Sequence, residues 1–312
     1  MPPAVLAESI SKRYDDTVAL DDVSIDVDGG EIFALVGPNG SGKTTLVEAL
    51  TGTTTPDSGS VSIFGESPTS VEDGRVGLLP QSFTPPERLT ARELVTYYQG
   101  LYDDQQRGDD VLAAVGMETE DDTWYTNLSG GQQRRICVGI TLVNDPDLLF
   151  LDEPTTGIDP AGRQSLWSLI DDLSAGGTTI FLTTHYMKEA QQLADRVALL
   201  DDGTIVEVGP PTDLIESYGG GTHLLVETET SPEQLSVLEA DVEPTEDGIR
   251  ILDVATADIG RIVGQLDTQG VTYETLTWAD PSLEDVYLSL TDERIDENRP
   301  SREPMTAGGR SR

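Results

Sequence analysis

The sequence predicts an α/β fold built on a parallel sheet, and three stretches predict it. In each, an apolar run of strand length ends in residues that carry chemistry. Ile32-Phe33-Ala34-Leu35-Val36 runs into Gly37, Leu148-Leu149-Phe150-Leu151 into Asp152 and Glu153, and Thr178-Thr179-Ile180-Phe181-Leu182-Thr183-Thr184 into His185. Continuous apolar strands belong to sheets covered on both faces. In such sheets ligands gather beyond the carboxyl ends of the strands.

The elements ahead of the first run read as short strands, Val5-Leu6-Ala7 and the alternating Val23-Ser24-Ile25-Asp26-Val27, with a turn at Gly29-Gly30. An N-terminal antiparallel β-layer follows from them. After Val36, Gly37-Pro38-Asn39-Gly40-Ser41-Gly42-Lys43-Thr44-Thr45 fits G-x-x-x-x-G-K-[ST] and leads into the helix-compatible Leu46-Val47-Glu48-Ala49-Leu50. Glycines let the backbone wrap phosphate oxygens with N–H groups turned inward, and the helix N-terminus adds partial positive charge. Lys43 then reaches the outer phosphates, and Thr44 offers a hydroxyl to Mg²⁺, a hard cation that takes oxygen ligands.

Thr53 to Gly59 reads as a turn cluster, Ser60 to Gly65 and Arg75 to Leu79 as strands, and Gln81 sits in the connection after Pro80, where its amide can touch Mg²⁺ or an attacking water. Helices are expected from Thr90 to Val115, opened by the capping box Thr90-Ala91-Arg92-Glu93 and broken by the polar stretch 103–110. Leu128-Ser129-Gly130-Gly131-Gln132 then precedes the helical run Arg135 to Leu142. Serine and glycines at a helix N-terminus make a second anion site. The paired glycines argue for close backbone approach by a ligand.

At the end of the Leu148 run, Asp152 is expected to hold Mg²⁺ through water, and Glu153 to orient and deprotonate an attacking water. Gly157-Ile158-Asp159-Pro160 leads into a helix around Leu166 to Leu173, and His185 lies at a strand end, where it can reach a terminal phosphate. Asp202-Gly203 marks a hairpin turn between Val197 and Val206. Tyr218-Gly219-Gly220-Gly221 reads as a linker, residues 218–292 as a small C-terminal α/β appendage, and 293–312 as a disordered tail. His223 has no comparable context.

Composition limits the partners. With 19 basic and 57 acidic residues among 312, the net charge is −38, which opposes the phosphate-backbone contacts that nucleic-acid binding requires. Only Lys12, Lys43 and Lys188 are lysines, and acidic pairs such as Asp15-Asp16, Asp103-Asp104 and Asp201-Asp202 recur along the chain. This resembles proteins of salt-accumulating extreme halophiles, in which high salt screens the repulsion. The single cysteine, Cys137, is expected as a small buried hydrophobe. No segment approaches the length of a membrane-spanning helix and no secretory pattern opens the chain, so a soluble intracellular chain is expected.

Together GPNGSGKTT, LLPQ, LSGGQQRR, LLFLDEPTTGIDP and FLTTHYMKEA, in that order, resemble the ATP-binding cassette (ABC) ATPase family over residues 4 to about 217. The resemblance implies a P-loop NTPase cassette at 1–217 with a helical signature subdomain at about 87–143. It implies ATP and Mg²⁺ as cofactors, with the nucleotide held by Tyr14 stacking on adenine and by Gly37, Pro38, Asn39, Gly40, Ser41, Gly42, Lys43, Thr44 and Thr45. Metal contacts fall to Thr44, Gln81 and Asp152, catalysis to Glu153, His185 and Gln81, and dimer coupling to Asp159. Ser129, Gly130, Gly131 and Gln132 would act across a head-to-tail pair of cassettes, homodimeric or heterodimeric. The implied function is the ATPase of a transporter, peripheral on the cytoplasmic face through a separate membrane permease. Trp278 to Tyr287 is similar to the tail of the drug- and lipid-exporter branch, which points to export. The alternative is a soluble ABC ATPase acting on ribosomes or DNA, which acidity and the lack of sustained heptads disfavour.

Overall fold

The computed structural model describes residues 2–72, 74–102, 108–230, 240–245 and 248–297. Its contacts divide the chain into two compact units, 1–217 and 218–312. The acidic pair Asp103-Asp104 and the expected tail beyond residue 297 lie outside the described residues.

The first unit opens with strands β1 (Val5–Tyr14) and β2 (Thr17–Val27), paired antiparallel. β1 is longer than the three residues its sequence marks, because the pairing shifts register after Ala7 and Ser9 takes a φ of 52°. Such bulges break the alternation that reveals a strand. Strand β3 (Ile32–Val36) and helix α1 (Lys43–Leu50) follow, and β4 (Ser58–Ile63) returns to the open side of β1, taking up Ser58 and Gly59 from the expected turn.

The chain continues through β5 (Val76–Leu79), α2 (Ala91–Gln99), α3 (Gly108–Ala114), α4 (Gly130–Thr141) and β6 (Leu148–Asp152). α5 (Pro160–Ala175), β7 (Thr179–Thr184), α6 (Met187–Leu193), the hairpin of β8 (Arg196–Asp201) and β9 (Thr204–Gly209), and α7 (Pro211–Tyr218) complete the sequence. The main sheet runs β5-β6-β7-β3-β8-β9, parallel except for β9. Every residue of β3, β6 and β7 is buried.

Register is fixed by a row of phenylalanines. Phe33 and Phe150 both pair with Phe181, at ring-centroid distances of 5.6 and 5.4 Å. Aromatic contacts of this kind add roughly 0.5–1.5 kcal/mol beyond area burial. A one-residue slip would turn each ring to the opposite face. The same row brings Leu35, Asp152 and Thr183 level with one another, so Gly37, Glu153 and His185 emerge together at one sheet edge.

The predicted capping box forms, and the structure adds a second at the start of α4. The Thr90 hydroxyl accepts from the Glu93 N–H at 3.2 Å while the Glu93 carboxylate accepts from the Thr90 N–H at 2.9 Å. Ser129 and Gln132 repeat the exchange at 3.3 and 2.9 Å. Cys137 is buried on α4, with the Tyr125 hydroxyl 3.4 Å from its sulfur, and burial pushes its thiol pKa up. It is the small hydrophobe that its setting predicted.

The second unit holds β10 (His223–Glu227), β11 (Val242–Thr245), β12 (Gly248–Ile251), α8 (Ile259–Thr268), β13 (Thr275–Ala279) and α9 (Leu283–Glu297). Its sheet, β11-β12-β10-β13, is antiparallel throughout and has its own core, including Leu224, Val226, Ile249, Ile251, Ile262 and Leu266. α9 extends through residues 293–297, which the sequence assigned to the tail. His223 is buried at the start of β10. Among the described residues no helix is long and apolar enough to cross a membrane.

Candidate active site

The loop after β3 is held from below. The Gly37 N–H donates to the Thr184 carbonyl at 3.3 Å, and the Ser41 carbonyl accepts from the Gly203 N–H of the β8–β9 turn at 2.9 Å. Gly42 precedes α1 with a φ of 108°, and a Cβ there would stand 2.5 Å from the Ala19 carbonyl oxygen, so no other residue fits. Pro38, Asn39, Gly40 and Thr44 are exposed and Thr45 is half-buried. Ser41 is buried, and its hydroxyl has no hydrogen-bond partner among the described residues. A buried orphan hydroxyl costs free energy unless a ligand engages it; an anion seated in this loop would.

Glu153 is where the sequence-predicted residues converge. It follows β6 with a φ of 45°, a left-handed conformation that costs a residue with a side chain energy and tends to mark functional positions. Its N–H donates to the Thr183 hydroxyl at 3.0 Å. One carboxylate oxygen lies 3.4 Å from the Lys43 ammonium, and both side chains are almost fully buried. The other accepts from the Gln81 amide at 2.9 Å and the Thr156 hydroxyl at 3.0 Å and lies 3.2 Å from His185 Nδ1. Burial alone would raise the carboxyl pKa, but the Thr156 hydroxyl, the Lys43 charge and His185 outweigh it and hold the pKa below its ordinary value. The side chain is therefore an ionised acceptor at neutral pH.

Lys43 also donates to the Gly37 and Pro38 carbonyls at 2.8 and 3.0 Å, so its ammonium lies inside the loop. Asp152 is buried, accepts from the Thr183 hydroxyl, and has its other oxygen 3.4 Å from the Thr44 hydroxyl. A buried carboxylate beside an exposed hydroxyl suits a hard cation that completes its shell with water and phosphate oxygens. Lys43, Thr44, Gln81, Asp152, Glu153 and His185, drawn from widely separated segments, thus form one cluster.

The remaining expected residues lie elsewhere. Tyr14 is exposed at the end of β1, with Lys12 Nζ 5.5 Å from its ring centroid, and has a ring free to stack. Ser129 and Gly130 are exposed at the start of α4. Gly131 is buried, and a Cβ on it would meet the Gly162 Cα of α5 at 2.9 Å. Its small size therefore also serves a helix crossing within the chain, a constraint that Gly130 does not share. Asp159 sits beside that crossing as the N-cap residue of α5.

Sequence reasoning passed over two residues. Thr156 lies in the polar turn after Pro154, where a hydroxyl three residues beyond an acid can fold back on it. Arg134 follows the signature serine by five residues, and its guanidinium donates to the carbonyls of Asp152, Glu153 and Pro154 at 3.1, 3.2 and 2.8 Å. Spaced three apart on α4, Gly131 and Arg134 share a helix face, which was the available signal.

Comparison with known proteins agrees with this geometry. The ABC transporter family model matches residues 20–156. The Nod factor export ATP-binding protein I of Sinorhizobium fredii is 35% identical over 305 residues, 92% of this chain and 86% of that protein. The daunorubicin resistance ATP-binding protein DrrA3 of Streptomyces coeruleorubidus is 32% identical, over 94% of this chain and 98% of its own. An ATP-binding cassette of an ABC transporter, solved in its ADP conformation, shares the fold at a TM-score of 0.62 and 23% identity, over 70% of this chain and 95% of that one. The chain belongs to the ABC transporter family, as an ATP-binding, ATP-hydrolysing subunit.

Proposed function

We propose that this subunit powers export through a separate membrane permease, with Glu153 as the general base of ATP hydrolysis. The observation that carries the catalytic part is the single ionised carboxylate of Glu153, gathered with Lys43, Gln81, Thr156 and His185. In this reading Lys43 and the loop N–H groups hold the phosphates, Glu153 takes a proton from the attacking water, and Gln81 and His185 orient that water and the terminal phosphate. Tyr14 stacks on the adenine. Thr44, Asp152 and Gln81 would hold Mg²⁺, which when bound neutralises charge on the phosphate oxygens. Exposed Ser129 and Gly130 complete the site of a second cassette, which places two cassettes head to tail with Asp159 near their junction.

Export rests on likeness to relatives named for Nod factor export and daunorubicin resistance. For the permease the first unit offers a groove of about 430 Å³ beside the sheet, with Leu78 and the well-exposed Leu101 on its walls. A permease helix would bury both leucines and hold the subunit on the cytoplasmic face of the membrane. Leu101→Asp should therefore lower the yield of the membrane-spanning partner that copurifies from detergent-solubilised membranes, while ATP binding by the isolated chain is unchanged. Undiminished copurification would count against this docking surface.

A further inference from the structure

The turn that presents Glu153 is an unfavourable piece of backbone that must be held in place. Its φ of 45° belongs to the left-handed region, and Pro154 follows directly. Three successive carbonyls, of Asp152, Glu153 and Pro154, need partners around this bend, and that of Glu153 also accepts from the Thr156 N–H at 3.3 Å. All three accept from Arg134, two from one terminal nitrogen at 3.1 and 3.2 Å and one from Nε at 2.8 Å. A planar guanidinium with fixed donor directions suits such a fork, and an ammonium does not.

Arg134 lies on α4, the helix capped by Ser129 and Gln132, and burial pushes its pKa down from the ordinary arginine value. It makes no contact with the Glu153 carboxylate. We propose that Arg134 is a positioning residue for hydrolysis: it fixes the Asp152–Pro154 turn so that the Glu153 carboxylate points at the reacting water, and it ties that turn to the signature helix. A shift of α4 on engaging a second cassette would then reach the general base through one side chain. This inference rests on Glu153 being the base.

The test separates the two claims. Arg134→Met keeps the stem and its packing but removes every donor, and should lower kcat by about 10- to 100-fold while the Kd of a fluorescent ATP analogue stays within about two-fold. Arg134→Lys keeps the charge without the fork and should fall between Arg134→Met and the wild type. Since Arg134 acts through Glu153, Arg134→Met should add little to Glu153→Gln in single-turnover cleavage followed over hours, where independent defects would multiply. Wild-type kcat in Arg134→Met, weakened ATP binding in parallel with kcat, or multiplying defects in the double variant would overturn the positioning role. Turnover surviving in Glu153→Gln alone would instead overturn the reading of Glu153 as the base.

Discussion

Glu153→Gln tests the centre of the site. The variant keeps the shape of the side chain and removes its charge and basicity. Loss of a positioned general base costs roughly 10²- to 10⁴-fold in rate, and kcat should fall by that amount. The fold should tolerate the change. Lys43 keeps its acceptors on Gly37 and Pro38 at 2.8 and 3.0 Å, so its charge is not stranded. The cost then sits nearer the roughly 1–3 kcal/mol of a disturbed buried polar group than the roughly 3–5 kcal/mol of a broken buried ion pair. If the new amide turns its oxygen to Lys43, its NH₂ faces Gln81, Thr156 and His185. The hydroxyl can reverse to accept, the Gln81 amide can flip, and a neutral imidazole can present Nδ1 as an acceptor. ATP binding should hold or tighten, since a negative charge beside the phosphates is gone. Phosphate release and titration with a fluorescent ATP analogue measure the two quantities. Turnover within about ten-fold of the wild type would refute the assignment. The pH dependence carries a sign as well. A folded-state carboxyl pKa below the unfolded value contributes stability that is complete above the unfolded pKa and is lost as pH falls through the folded one. The difference in stability between the two proteins attributable to this charge should therefore disappear on the acid side of about pH 4.

Two further outcomes follow from packing and from charge. Gly131→Ala places a methyl 2.9 Å from the Gly162 Cα, backbone that cannot swing aside, whereas at Gly130 the new atom meets only Ile158 Cγ2 at 3.9 Å. Overpacking of this kind costs about 1–3 kcal/mol, so Gly131→Ala should melt several degrees below Gly130→Ala, and equal melting temperatures would contradict the helix crossing. The net charge of −38 acts over roughly 30 Å at 0.01 M salt and roughly 3 Å at 1 M. The melting temperature should then rise as KCl goes from millimolar to molar, and a flat or falling curve would remove the halophilic reading.

Much of the site was legible because its residues stand at the ends of apolar runs. Val36, Asp152 and Thr184 each close a strand that is buried along its whole length, and such a strand has little to offer chemistry except at its edge. The capping box of Thr90 with Glu93 was legible for a similar reason, since it satisfies its bonds within four residues. β1 beyond Ala7 was not legible, since its bulges cancel the alternation. The close approach of Gly131 to Gly162 was not legible either, because a missing side chain does not say what occupies the space.

The sequence by itself determined the phosphate loop, the buried strands and the acids that end one of them, since each depends on contacts within a few residues or on burial of a continuous run. Only the tertiary structure decided that Lys43, Gln81, Thr156 and His185 meet on one carboxylate, and that Arg134 grips the turn behind it. Those contacts join residues as much as 110 positions apart in the numbering. They exist because the pairing of Phe33, Phe150 and Phe181 brings three strands to one level, and no local pattern encodes the register between strands so distant in the chain.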